Sequence, residues 1–251
     1  MLKMTSLAAA LSLVGILAAG TANASPIVFQ TAQGATTSGG AVDASASFAL
    51  GANSLDITLN DLLVNPNNVG QLLSGLSFSI NGFTSGTLLS SSGLLVTVGD
   101  GGSTTYAGAD STTGWVLQLQ PTFDLCDICN NLLTPSKGAL APAGLIIGPD
   151  VNGVYSDANG GIAGNSGHNP FVSESATFDL SIAGLTSSDS VSSVLFRFGT
   201  KFGKQTSNGV CTSGCGAASV PEPGALALFA AGLGSLGFAL SRKRRQAVRH
   251  R

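Results

Sequence analysis

An all-β fold, an antiparallel β-sandwich or jelly-roll-like ectodomain, is what the sequence predicts, and three observations carry that expectation. Apolar residues alternate with polar or small ones at period two over several short runs. The 251 residues include 34 glycines and only 10% charged side chains, a composition suited to short strands and tight turns rather than helices. An apolar fraction of 43% supplies a core and excludes a disordered chain.

The strands follow in order. Val42, Ala44, Ala46, Phe48 and Leu50 share one face of the first clear strand. Leu55, Ile57 and Leu59 alternate with Asp56, Thr58 and Asn60. Val69 to Ser74 leaves room for one short helix. Leu76, Phe78 and Ile80 alternate with serines and end at Asn81-Gly82, a turn signal. The apolar run Leu94 to Val98 stops at Asp100-Gly101-Gly102. Trp115, Leu117 and Leu119 alternate with Val116, Gln118 and Gln120, and the pattern returns in Phe178, Leu180, Ile182 and in Val194, Phe196, Phe198. This amounts to roughly eight to ten short strands. A Gly/Pro/Asn-rich stretch from about Pro135 to Pro170 reads as a long loop of the functional or mobile kind.

Both ends of the chain read as targeting segments. Residues 1–24 have the parts of a secretory signal peptide: Lys3, an apolar run from Leu7 to Ala19, and Ala22-Asn23-Ala24 as a small-x-small site with cleavage before Ser25. The β-rich domain is expected over 25–202 and a linker over 203–219. Val220-Pro221-Glu222-Pro223 follows, then an uncharged apolar run from Gly224 to Leu240, then basic residues from 241 to 251 led by Arg242, Lys243, Arg244 and Arg245. At about 1.5 Å per residue the apolar run reaches roughly 25 Å, near the lower limit for a transmembrane helix. The basic cluster does not cross hydrocarbon, so it predicts a cytoplasmic C-terminus and a body outside the membrane. Pro221 and Pro223 bias their surroundings to an extended strip, the shape a processing enzyme grips.

The Pro-Glu-Pro motif, the short Gly/Ala/Leu-rich span and the Arg-rich terminus together resemble the PEP-CTERM sorting domain over about Val220 to Arg245. That resemblance implies that the chain is a substrate of exosortase, a membrane-embedded transpeptidase-like enzyme recognising Pro221-Glu222-Pro223. It also implies removal of the tail and delivery to the cell surface or the exopolysaccharide matrix. The expected partners are then the Sec translocon, signal peptidase, exosortase, the inner membrane transiently, and exopolysaccharide. The body is similar to proteins that carry such tails in Leu76-Ser77-Phe78-Ser79-Ile80, in Asn165 to Phe171 and in Val194 to Thr200; that similarity implies no activity.

Charge narrows the function classes. Six of the eleven basic residues lie in the last ten positions. Between Ser25 and Pro223 stand four basic residues (Lys137, Arg197, Lys201, Lys204) and all thirteen acidic ones, a net charge near −9. A nucleic-acid-binding body, which needs a basic footprint, is excluded.

Four cysteines form two close pairs, Cys126 with Cys129 and Cys211 with Cys215. In an oxidising compartment they predict disulfides, and three connectivities are open. In the chain-entropy model the long crosslinks would stabilise by about 3–5 kcal/mol. A Cys₄ zinc site and a thioredoxin-like role for Cys126-Asp127-Ile128-Cys129 are the rivals. Asp150, Asn152, Asp157 and Asn159 recur in two Asp-x-Asn-Gly segments, oxygen-rich as a calcium loop requires, yet without EF-hand spacing; two Asx turns are the favoured reading. No nucleophile elbow, zinc-protease motif or phosphate loop is present. No enzyme and no cofactor is therefore expected. A carbohydrate-binding β-sandwich using Tyr106, Trp115 or Tyr155, and a secreted hydrolase using Asp124, Asp150, Asp157 and His168, are the alternatives.

Overall fold

The computed structural model describes residues 25–127, 129, 144–201 and 203–215. In chain order the strands are β1 (Ile27–Thr31), β2 (Thr36–Thr37), β3 (Gly40–Ala41), β4 (Ala44–Leu50), β5 (Ser54–Asp61), β6 (Leu73–Ile80), β7 (Thr87–Val98), β8 (Thr104–Ser111), β9 (Val116–Gln120), β10 (Thr122–Cys126), β11 (Ile146–Ile147), β12 (Phe171–Ser181), β13 (Val191–Phe198) and β14 (Thr206–Ser213). β2 and β3 form a small hairpin, and the others form one sheet.

Alternation sorts the side chains as the sequence predicts. Ala44, Ala46 and Phe48 of β4, Leu55, Ile57 and Leu59 of β5, Leu76, Phe78 and Ile80 of β6, Phe178 and Leu180 of β12, and Val194, Phe196 and Phe198 of β13 are all buried. β9 departs from this: Leu119 is 42% exposed, because β9 hydrogen-bonds β10 alone and ends the sheet.

The sheet does not divide into the two separate layers of a jelly roll. Its hydrogen-bonded order runs β12-β5-β4-β1-β14-β13-β6, and β11 then pairs with both β6 and β12. The eight-strand path thus closes on itself and is barrel-like. β7 and β8 continue from β12, and β10 and β9 from β6. The closure depends on two residues: Ile146 pairs with Val172 and with Leu73. The β11–β12 pairing is parallel and the other pairings are antiparallel.

Aromatic rings bridge the interior. Phe29 packs edge-on against Phe48 at 6.0 Å, Phe48 against Phe78 at 5.2 Å, and Phe78 stacks on Phe123 at 5.2 Å. These contacts join β1 and β4 to β6 and β10, and each buried ring contributes about 2–3 kcal/mol of burial free energy.

Three expectations are corrected. Val69 to Ser74 is not a helix: a single 3₁₀ turn covers Val69–Gln71, and β6 starts at Leu73. Asn68 caps the Gly70 N–H while the Gln71 Oε1 accepts from the Asn67 and Asn68 N–H groups, so local capping closes the turn at once. The linker expected over 203–219 contains β14, which lies between β1 and β13, so the folded part runs past residue 202. The described part of the long loop is packed: Tyr155 and Ile162 are buried in a second cluster with Leu72, Val96, Val98, Leu145, Ile147 and Phe171. Gly102, at φ +81°, lets the Tyr155 backbone lie against it, and the Tyr155 N–H donates to the Gly102 carbonyl at 2.9 Å. The expected signal peptide, residues 130–143 and the expected membrane span Gly224 to Leu240 lie outside the described residues. Among the described residues no helix is long and apolar enough to cross a membrane.

Candidate functional site

The C-terminal exit is built by β1 and β14. They run antiparallel, pairing Val28 with Ser213 and Thr31 with Gly209, so the start of β1 lies beside the end of β14. Thr212 donates its hydroxyl to the Val28 carbonyl at 3.3 Å. Ser25, the expected first residue after signal cleavage, is exposed at the same end. Cys211 and Cys215 are bonded to each other there, Cα–Cα 6.0 Å, and close the last turn of the described chain. Cys126 and Cys129 are likewise bonded to each other, Cα–Cα 5.5 Å. Both crosslinks are local: each cysteine is paired with its near neighbour in sequence, one of the three connectivities that the sequence left open. The sorting-motif residues, the basic stop signal, and Ala22 and Ala24 lie outside the described residues.

Against the C-terminal segment, the family model of the PEP-CTERM protein-sorting motif matches residues 219–245. The chain carries a PEP-CTERM sorting motif. Comparison with curated proteins and with solved structures gave no match. The motif implies export, surface association and exosortase as processing partner. In this PEP-CTERM chain the match starts four residues beyond Cys215, so the segment that exosortase reads follows directly on the disulfide at the end of β14.

The other sequence candidates are each held by contacts of their own. Asp150 accepts from the Gly153 N–H at 2.9 Å and from the Tyr106 hydroxyl at 2.5 Å. Asn152, at φ +56°, turns the chain between the bridged Val151 and Val154. Asp157 accepts from Ser156, and Asn159 caps the Gly161 N–H at 2.8 Å. Apart from the Tyr106 hydroxyl, which reaches Asp150 from β8, these are turn contacts; among the described residues no group of three His, Cys, Asp or Glu is placed to hold a metal. His168 Nδ1 sits 2.6 Å from the Gly161 carbonyl. Asp124 pairs with Arg197 at 2.7 Å. Trp115 is core: it is buried, its Nε1–H donates to Gly144, and it packs on Phe178. Tyr155 is buried too, which raises its phenol pKa, while Tyr106 alone of the three aromatics is exposed.

One concavity escaped the sequence reading. A groove of about 400 Å³ is lined by Ser38 from the β2–β3 turn, Asn68, Val69 and Gly70 around the 3₁₀ turn, and Thr200, Lys201, Lys204 and Gln205 from the β13–β14 connection. The Asn68 Oδ1 is taken by the Gly70 N–H and the Gln205 Oε1 by the Thr37 hydroxyl, while their NH₂ groups donate to no described residue. No carboxylate lines it. Its only sequence signal was the pair Lys201 and Lys204 in an otherwise acidic body, and that pair fell in the stretch read as leading into a linker.

Proposed function

We propose that the protein is a non-catalytic structural or interaction component of the cell surface or exopolysaccharide matrix, delivered there by exosortase acting at Pro221-Glu222-Pro223. In this reading the Sec translocon and signal peptidase release a body that starts at Ser25. Gly224 to Leu240 holds it transiently in the inner membrane, and Arg242 to Arg245 stay cytoplasmic until the tail is removed. The observation that carries the reading is the sorting motif at 219–245, placed just after a folded domain whose two ends lie side by side. A passenger without chemistry is supported by the contacts that the candidate residues make: Asp124 pairs with Arg197, Asp150 and Asp157 accept from neighbouring hydroxyl and backbone groups, and His168 faces the Gly161 carbonyl.

Intact-mass analysis of surface material tests it. The product should begin at Ser25 and lack the residues beyond the Pro221 region. Glu222→Ala should leave full-tailed protein in the inner membrane. A Glu222→Ala chain that is trimmed and exported like the parent removes the motif from the recognition step.

A further inference from the structure

The groove beside the β13–β14 connection concentrates what the rest of the body lacks. Of the four basic residues between Ser25 and Pro223, Arg197 is committed to Asp124, and Lys137 lies outside the described residues. Lys201 and Lys204 remain, both exposed and both lining the groove, and neither ammonium makes an ion pair or hydrogen bond with a described residue. The spacing is set by the turn itself, where the Lys204 N–H bonds the Lys201 carbonyl. Around them stand neutral groups able to donate, the NH₂ groups of Asn68 and Gln205 and the hydroxyls of Ser38 and Thr200, with no acidic side chain in the lining.

We propose that this groove is an anion-binding site, which takes a carboxylate or phosphate group on Lys201 and Lys204 with Asn68 and Gln205 as flanking neutral donors. Charge-assisted hydrogen bonds of this kind are stronger than neutral ones. The remaining acidic surface repels anions, so an anionic ligand has one favourable landing place on this face, and the attraction weakens with added salt. The site is also placed for outside contact. It lies at the Thr206 end of β14, whereas the chain leaves for the sorting tail at the Ser213 end. An eight-residue strand separates the two, roughly 25 Å. A body tethered through its tail turns the groove away from the tether; this orientation rests on the sorting reading, and the binding does not.

The test is calorimetric titration of the full chain in detergent with three probes: sodium phosphate, trigalacturonate and neutral maltotriose. The proposal expects saturable, salt-weakened binding of phosphate or trigalacturonate and none of maltotriose. The double variant Lys201→Ala/Lys204→Ala should lose at least about tenfold in affinity, while Lys201→Arg/Lys204→Arg stays within about threefold of the parent. Both lysines are exposed, so the variants leave the core intact. Tighter binding of trigalacturonate than of phosphate identifies a carboxylated polymer as the source, and the reverse identifies a free oxyanion. Absence of saturable binding to both anions, equal binding of maltotriose, or undiminished binding in the alanine variant overturns the proposal. The basic tail is common to the parent and both variants, so the site is read from the difference between them.

Discussion

Arg197 on β13 reaches across β6 to Asp124 on β10, its Nη2 2.7 Å from the Asp124 Oδ1. Ser77, on the strand between, donates its hydroxyl to the same carboxylate and accepts from the Arg197 Nε at 3.2 Å. The pair is 12% and 8% exposed and occupies the face of these strands opposite to Leu76 and Phe78, so it pins three neighbours together from outside the core. Removing one partner strands a poorly solvated charge. Asp124→Ala and Arg197→Met should each lower stability by about 3–5 kcal/mol, and the double variant Asp124→Leu/Arg197→Met by clearly less than the sum. Urea unfolding of the three variants checks this; additive losses would sink it.

Asp61 closes β5 as a fully buried carboxyl. Its Oδ1 accepts from the Leu63 N–H at 3.1 Å and its Oδ2 from the Leu73 N–H at 3.3 Å, and burial raises its pKa well above the usual carboxylate range. Asp61→Ala leaves both N–H groups without their acceptor and should cost about 2–4 kcal/mol. Denaturant melts of Asp61→Ala beside a surface control such as Asp189→Ala measure the difference.

The local disulfides make a thermodynamic prediction distinct from crossed ones. Cys126–Cys129 and Cys211–Cys215 close loops of sequence separation 3 and 4. In the chain-entropy model each is worth about 2 kcal/mol, against nearly 5 for a crosslink between the two pairs. Replacing Cys211 and Cys215 together by Ser should therefore leave a folded protein about 2 kcal/mol less stable, with the Cys126–Cys129 bond intact by mass mapping. A non-native mixture of Cys126 or Cys129 adducts in that variant would mean that the pairs exchange.

Asp127 gives the stability a pH dependence of known sign. Burial pushes its carboxyl from 3.8 up to about 7, and its Oδ2 is buried without a described partner. Between those two values the folded state holds the proton that the unfolded state has lost. Asp127's contribution to stability is therefore fully present below about pH 4, falls as pH rises, and is lost above about pH 7. Asp127→Asn should flatten this slope and melt higher than the parent at pH 8. Asp61 titrates in the same sense in both proteins, so the difference between their melting curves over pH 4 to 8 isolates Asp127.

The core strands were legible because each of them buries one face against a full interior. Phe48, Ile57, Phe78, Phe178 and Phe196 sit at the inward positions that period two assigns. β14 was not legible, and Gly209 shows why. A Cβ there would come within 2.9 Å of Val194 Cγ1 and 3.2 Å of Phe196 Cε2. The large side chains of β13 fill the space beneath β14, whose own alternate positions are Ser207, Gly209 and Cys211; a strand with such small residues has the composition of a linker. β11 was illegible for another reason: two isoleucines carry no period, and only the approach of β6 and β12 makes them the closing stave. Of the site, the C-terminal motif was legible because it is contiguous in sequence. The groove was not, because its walls come from three segments that meet only in the fold.

The position of β14 also decides how the domain meets mechanical load. Any pull transmitted from the tail enters at Ser213 and runs along a strand flanked on both sides, by β1 through four residue pairs and by β13 through three. Both ladders are stressed together in shear, not peeled open one bond at a time as at a free edge. The small residues that disguised this strand thus occupy the segment best seated to resist being dragged out of the barrel.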